Sequence, residues 1–247
     1  MHSLIAMAAF GVLAGWATPS SATETCNAPD AKGTQACTAS MDEARIREII
    51  ITQHQPQWCW AASISMIFAY HGYTLPQEDI VKDVHGKVED IKASSGETMT
   101  KALRRHWRDP SNQEFVVSTK TGDVDANRYE ISNTTIADEL GEGRPLLIGT
   151  RGHAMVLVGA HYERHANGEI VITGGSVIDP LPGKGVRRLA GSEMMLSYVS
   201  SVHVASVQAA PERTLQARDD AAGRPTPAAT MSAEGPVYAG PGTGITR

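Results

Sequence analysis

Cys59 stands where a cysteine can act as a nucleophile. A polar loop ends at Pro56, and Trp60, Ile64, Ile67 and Phe68 then recur at helical spacing until Gly72. The spacing predicts a helix from Cys59 to about Tyr70, with the cysteine in its first turn. There the unpaired N–H groups and the helix dipole favour a negative sulfur. The dipole supplies on the order of 1 kcal/mol, which falls well short of ionising a thiol in acid. A cation beside the sulfur must supply the rest. The bland alternative is a small buried apolar residue. Far downstream, Gly152-His153 opens one apolar run and Asp179-Pro180 closes another. An imidazole can take a proton from sulfur and return it to a leaving group, while a carboxylate holds the ring in place. A strand-edge histidine and an Asp-Pro turn starter are the plain readings of those two. In company with Cys59, the chemical reading is the stronger.

These residues carry a resemblance. Gln53, five further residues and then Cys59-Trp60-Ala61-Ala62 resembles the nucleophile segment of papain-like cysteine proteases. The compact bacterial branch with double-glycine leader peptidases and secreted relatives is the most similar, including the helix that ends near Tyr70-His71-Gly72. Gly152 to Gly159 resembles the family's histidine strand, and Val177-Ile178-Asp179-Pro180 its third catalytic position. The likeness covers roughly residues 48 to 205. His153 follows Cys59 by 94 residues. That is closer than the roughly 130–150 usual for papain itself, and it fits the compact branch.

The resemblance implies hydrolysis of peptide bonds through an acyl-thioester on Cys59, with His153 as general base and then acid. Asp179 would orient the imidazole. The Gln53 amide and the Cys59 backbone N–H would meet the oxyanion, with Gln55 and Gln57 competing for the glutamine's role. Gly152 and Trp58 are candidate substrate contacts, although such a tryptophan is more often a packing residue. The partner is a protein or peptide substrate. No metal or organic cofactor is implied, and no Cys-x-x-Cys or paired Cys/His spacing invites one. His71, His161 and His165 rank below His153. Two rivals share the residues: a transglutaminase-like or cell-wall amidase acyl transferase on the same plan, and a binding protein on a degenerate protease fold.

The elements that must position these groups follow from periodicity. Asp42 to Ile51 suits either a helix or a short strand; Pro76 to Val84 reads as a helix stopped by Gly86. Thr98 to Trp107 reads as another, with Met99, Leu103 and Trp107 on one face. Arg104, Arg105 and Arg108 form its solvated end. After Pro110 come strand patterns at Glu114 to Thr119, Pro145 to Gly149, Ala154 to Val158, Glu169 to Ile178 and Val199 to Val207. A helical turn fits Thr135 to Leu140, and Ser192 would cap a short helix through Tyr198. Helices first and strands second predict an α+β fold, a helical part on an antiparallel sheet; the resemblance makes it papain-like.

The two ends differ from this middle. Residues 1–22 read as a secretory signal: Leu4 to Ala17 is apolar but too short to span a bilayer, and Ser20-Ser21-Ala22 suits cleavage. The expectation is export, to the periplasm or beyond, with no membrane span once the signal is removed. Residues 23–41 read as a linker in which Cys26 and Cys37, 11 apart, close a small disulfide loop. That leaves Cys59 as a free thiol. Residues 42–207 form the peptidase domain, and the Ala/Pro/Gly-rich 208–247 reads as a disordered tail. A net charge of −5 offers nothing to nucleic acid.

Overall fold

The computed structural model describes residues 23–150 and 152–207, so the expected signal and tail lie outside the described residues. In chain order the elements begin β1 (Thr23–Cys26), β2 (Gln35–Ser40), α1 (Glu43–Ile49), α2 (Cys59–Tyr70), α3 (Gln77–His85) and α4 (Gly96–Leu103). There follow β3 (His106–Arg108), β4 (Glu114–Asp123), β5 (Arg128–Tyr129) and α5 (Asn133–Gly141). Strands β6 (Leu146–Thr150), β7 (His153–Arg164), β8 (Ile170–Asp179), β9 (Gly185–Arg188) and β10 (Tyr198–Ser206) complete the series.

The strands make one antiparallel sheet with the path β1-β2-β7-β6-β10-β4-β3; β8 joins at β7, β9 at β8 and β5 at β4. Alternation along β6 and β7 builds two cores. Leu147, Ala154, Val156 and Val158 face α1 to α4, while Leu146, Ile148, Met155 and Leu157 face the side that α5 covers. A strand buried on both faces reads as an unbroken apolar run, which is how Leu146 to Ile148 appears in the sequence. Helix α2 is the centre of the first core: Trp60 to Phe68 are all buried.

Local chemistry explains most boundaries. Asp42 resolves the ambiguous stretch as helix, because its Oδ1 accepts the N–H groups of Ala44 and Arg45. Gly86 stops α3 in the left-handed region, at φ +75°. Three expectations are corrected. Residues 23–40 form not a linker but a hairpin, whose second strand pairs with β7 along Gln35 to Ser40. The helix expected to reach Trp107 ends at Leu103; Trp107 lies in β3 opposite Phe115, where it keeps its burial and gains strand hydrogen bonds. The helix expected from Ser192 is only a 3-10 turn at Gly191–Glu193. Tyr198 instead begins β10, which pairs with β6 on one edge and β4 on the other and so satisfies its backbone on both sides.

Cys26 and Cys37 face each other across β1 and β2 and are joined by a disulfide, leaving Cys59 free. Denatured, unreduced protein should therefore titrate one thiol, and alkylated-peptide mass should place it on Cys59; three thiols would dissolve the hairpin's cross-link.

His71 ends α2, with Nε2 in a 3.2 Å hydrogen bond to the Val202 carbonyl. Burial pushes its pKa from 6.5 down to about 4, although the bond to that carbonyl works the other way. The unfolded chain takes up a proton below pH 6.5 that the folded chain refuses. Stability therefore falls as pH drops from about 6.5 toward 4, with about 2 kcal/mol of it lost between pH 7 and 5. Urea unfolding should show that loss in the wild type and not in His71→Gln. Equal slopes would clear His71 as its source.

Candidate active site

Cys59 is the first residue of α2, and no side chain caps that helix. Its hydrogen-bond ladder begins with the Ala62 N–H on the Trp58 carbonyl at 2.9 Å, so the earlier N–H groups remain directed past the helix end. A loop is strapped across this end. The indole of Trp58 donates to the Glu89 carbonyl at 2.9 Å and that of Trp60 to the Ile91 carbonyl at 3.1 Å. The Gln57 N–H adds a 2.8 Å bond to Asp90 Oδ1.

The other side of the cleft comes from β7. Gly152, at φ +87°, turns the chain into the strand, and only a residue without a side chain does so without strain. The Ala154 N–H then points at Cys59 Sγ, 3.5 Å away. His153 Nε2 is 2.8 Å from Asp179 Oδ1, and the ring stands beside Cys59, which favours its charge. With Nε2 engaged by the carboxylate, Nδ1 is the nitrogen left for the sulfur. Burial opposes a charge on His153, but Cys59 and Asp179 outweigh it and hold the pKa above the ordinary 6.5. Asp179 is itself almost fully buried. Burial would raise its pKa, yet the Leu181 N–H, Arg187 and His153 together hold it low.

Asp179 leads to a pair that residue types alone did not disclose. Its Oδ1 also accepts the Leu181 N–H at 3.0 Å, and its Oδ2 accepts Arg187 Nε at 2.8 Å. Arg187 turns its two remaining nitrogens on Glu193, each 2.7 Å from a carboxylate oxygen. The bidentate geometry locks the guanidinium, and Arg187 holds Glu193 at about pKa 2, against a smaller contrary effect of burial. Arg187 sits opposite Val177 because β8 and β9 form a hairpin. The Pro- and Gly-rich stretch from Pro180 to Gly185 signals that turn, but nothing local names the arginine's partner.

The remaining candidates divide. Gln53 is buried, and its backbone N–H ties the nucleophile loop to the Pro180 carbonyl at 2.8 Å, next to Asp179. Its side-chain nitrogen donates to the carbonyls of Gln55 and Pro56 at 2.8 and 2.9 Å. Both amide hydrogens are thus engaged, and the expectation of a free amide aimed at the oxyanion gives way to one that shapes the loop. Trp58 is corrected as a substrate contact: it is 2% exposed and packs in the core. Gly152 does line the cleft, a space of about 200 Å³ bordered also by Gln57, Cys59, Trp60 and His153. A larger groove of about 460 Å³, lined in part by residues of the second core, contains none of these groups and meets the cleft at Asp123, Ser197 and Tyr198.

The charges alternate from His153 through Asp179 and Arg187 to Glu193, so changes at the far end carry a definite sign. Glu193→Gln leaves the arginine's charge unopposed, draws on Asp179 and lowers the His153 pKa. Arg187→Gln frees the Asp179 charge and raises it. Each shift is on the order of half a pKa unit, as for one charge changed several ångströms away in a high effective dielectric. An NMR titration of the His153 ring should show the opposite signs; shifts of the same sign would mean that geometry, not charge, connects the four.

The family model of the papain-like cysteine protease AvrRpt2 matches residues 42–188, from the cap of α1 to the end of β9. No curated protein matches the chain. The matched segment is more than half of the 247 residues and contains Cys59, His153, Asp179 and Arg187. By that match, on an α+β fold of helices against an antiparallel sheet, the chain belongs to the papain-like cysteine protease family of AvrRpt2 and is a cysteine-type peptidase.

Proposed function

We propose that this peptidase is exported and cuts peptide bonds through an acyl-thioester on Cys59. The observation that carries the assignment is the His153 ring, bonded to Asp179 at 2.8 Å and sharing one cleft with Cys59, whose sulfur is 3.5 Å from the next backbone N–H of the same strand. His153 holds the thiol proton, so that sulfur attacks the scissile carbonyl as thiolate. The imidazolium then gives the proton to the leaving amine, and a water activated by the same ring releases the acid. Asp179 keeps Nε2 occupied and the ring in register. The Cys59 backbone N–H faces the developing oxyanion, and Gln53 acts there through the loop whose carbonyls it fixes. A protein or peptide is the substrate. Support for export comes from the apolar segment within residues 1–22 and from the Cys26–Cys37 disulfide, which suits an oxidising compartment. No helix among the described residues is long and apolar enough to cross a membrane. The proposed arrangement is a signal at 1–22, a peptidase domain at 42–207 extended by the 23–40 hairpin, and a separate tail at 208–247.

The ion pair is tested by iodoacetamide. Wild-type Cys59 should be alkylated rapidly near pH 5, where an ordinary thiol of pKa about 8.5 is hardly ionised. In His153→Ala the reaction should move to alkaline pH, since the helix dipole alone supplies too little. Cleavage of a peptide library should vanish in both His153→Ala and Cys59→Ala. Retained low-pH reactivity without His153 would end its assignment as the partner. Amine incorporation or muropeptide release in place of cleavage would move the reaction to another acyl transfer.

A further inference from the structure

Three strands away from His153, the cleft ends at a buried carboxylate. The register sets Ala154 of β7 opposite Gly149 of β6, Gly149 opposite Tyr198 of β10, and Tyr198 opposite Asp123 of β4. Directly opposed residues face the same side of a sheet, so this row turns toward the helices and the cleft. At about 4.8 Å per strand it extends about 14 Å. Gly149 keeps the floor low between its ends: a Cβ there would press on Tyr198 at 3.1 Å and Met99 at 3.4 Å.

Asp123 is 3% exposed and lines the same cleft as Cys59, with Asp125 exposed nearby. Its Oδ1 accepts one N–H, from Ala126 at 3.2 Å. Its Oδ2 lies so close to Gly96 that a Cβ on that residue would stand 2.4 Å from it. Among the described residues no ion pair joins Asp123 to Lys92, which also lines the cleft, or to Arg128, its neighbour on β5. Gly96 begins α4, whose N-terminus offers a partial positive charge of about half an elementary unit, less than a counter-ion. A buried carboxylate with one long hydrogen bond has room for a further partner, which a cationic group reaching into the cleft would supply.

We propose that Asp123, with Asp125 at the rim, forms a specificity subsite for a cationic side chain, lysine or arginine, of the peptide substrate. This rests on the cleft at Cys59 being the peptidase site. An extended peptide advances about 3.4 Å per residue, and a lysine side chain reaches about 6 Å through bonds of about 1.5 Å. The cation therefore belongs to a residue two or three positions from the scissile bond.

The test uses peptidyl chloromethyl ketones, in which the Cys59 sulfur displaces chloride and bonds to the methylene carbon without turnover. Lysine or its neutral counterpart norleucine occupies the first, second or third position before the reactive carbon. Each alkylation rate is divided by the same protein's rate with iodoacetamide. In the wild type the lysine probe should react about tenfold faster than the norleucine probe at the second or third position, the size of one charge-assisted hydrogen bond. Asp123→Asn should bring that ratio near one, and the exposed Asp125→Asn should lower it in part and without risk to the fold. Equal lysine and norleucine rates in the wild type, or a preference that survives Asp123→Asn in a folded protein, would overturn the subsite. If Cys59 reacts with iodoacetamide but with none of the peptide probes, the peptidase cleft itself fails and the subsite with it.

Discussion

Helix α2 lies against strand β7, and that contact sets a sulfur on one element beside an imidazole on the other. The helix is buried along its length from Trp60 to Phe68, so its first residue has little freedom to move relative to the sheet. Strand β7 is the longest in the sheet and is bonded on both edges, to β8 along one and to β6 and then β2 along the other. Cys59 and His153 each sit at the first residue of these two rigid pieces. Both belong to regular elements, and a few ångströms of slippage would separate them.

The charges behind His153 continue this logic outward. Asp179 ends β8, Arg187 lies on β9, and Glu193 closes the short turn that follows. Each holds the next by a hydrogen bond of 2.7 or 2.8 Å, and a single hairpin brings all three together. A carboxylate buried as deeply as Asp179 needs such partners, because burial alone favours its neutral form. Its oxygens hold three partners, His153, Leu181 and Arg187, and the next residue, Pro180, accepts the Gln53 N–H and so fixes the loop that leads to Cys59. The two walls of the cleft are therefore joined behind the reacting groups as well as across them. The indoles of Trp58 and Trp60 make a third attachment, holding the loop around Glu89 to Ile91 over the helix end.

Periodicity and residue type determined a good deal of this by themselves. The helix from Cys59, the helix stopped by Gly86 and the apolar strand after Pro145 follow from spacing and from glycine's backbone freedom. Cys59, His153 and Asp179 stand out in the sequence because few side chains can serve as nucleophile, base and orienting acid. What spacing could not reach is set by register. Residues 23–40 have the composition of a linker, yet they complete the sheet because β7 offers a free edge. Trp107 fits a helical face and a strand equally well until Phe115 becomes its neighbour. Gln53 has the right separation from Cys59, but only the folded loop decided that its amide turns to the carbonyls of Gln55 and Pro56. Arg187, Glu193 and Asp123 are ordinary charges in the sequence. Strand pairing gave Arg187 and Asp123 their neighbours, and the turn after β9 brought Glu193 to Arg187; the interaction of a charge depends on distance and burial rather than on its place in the chain.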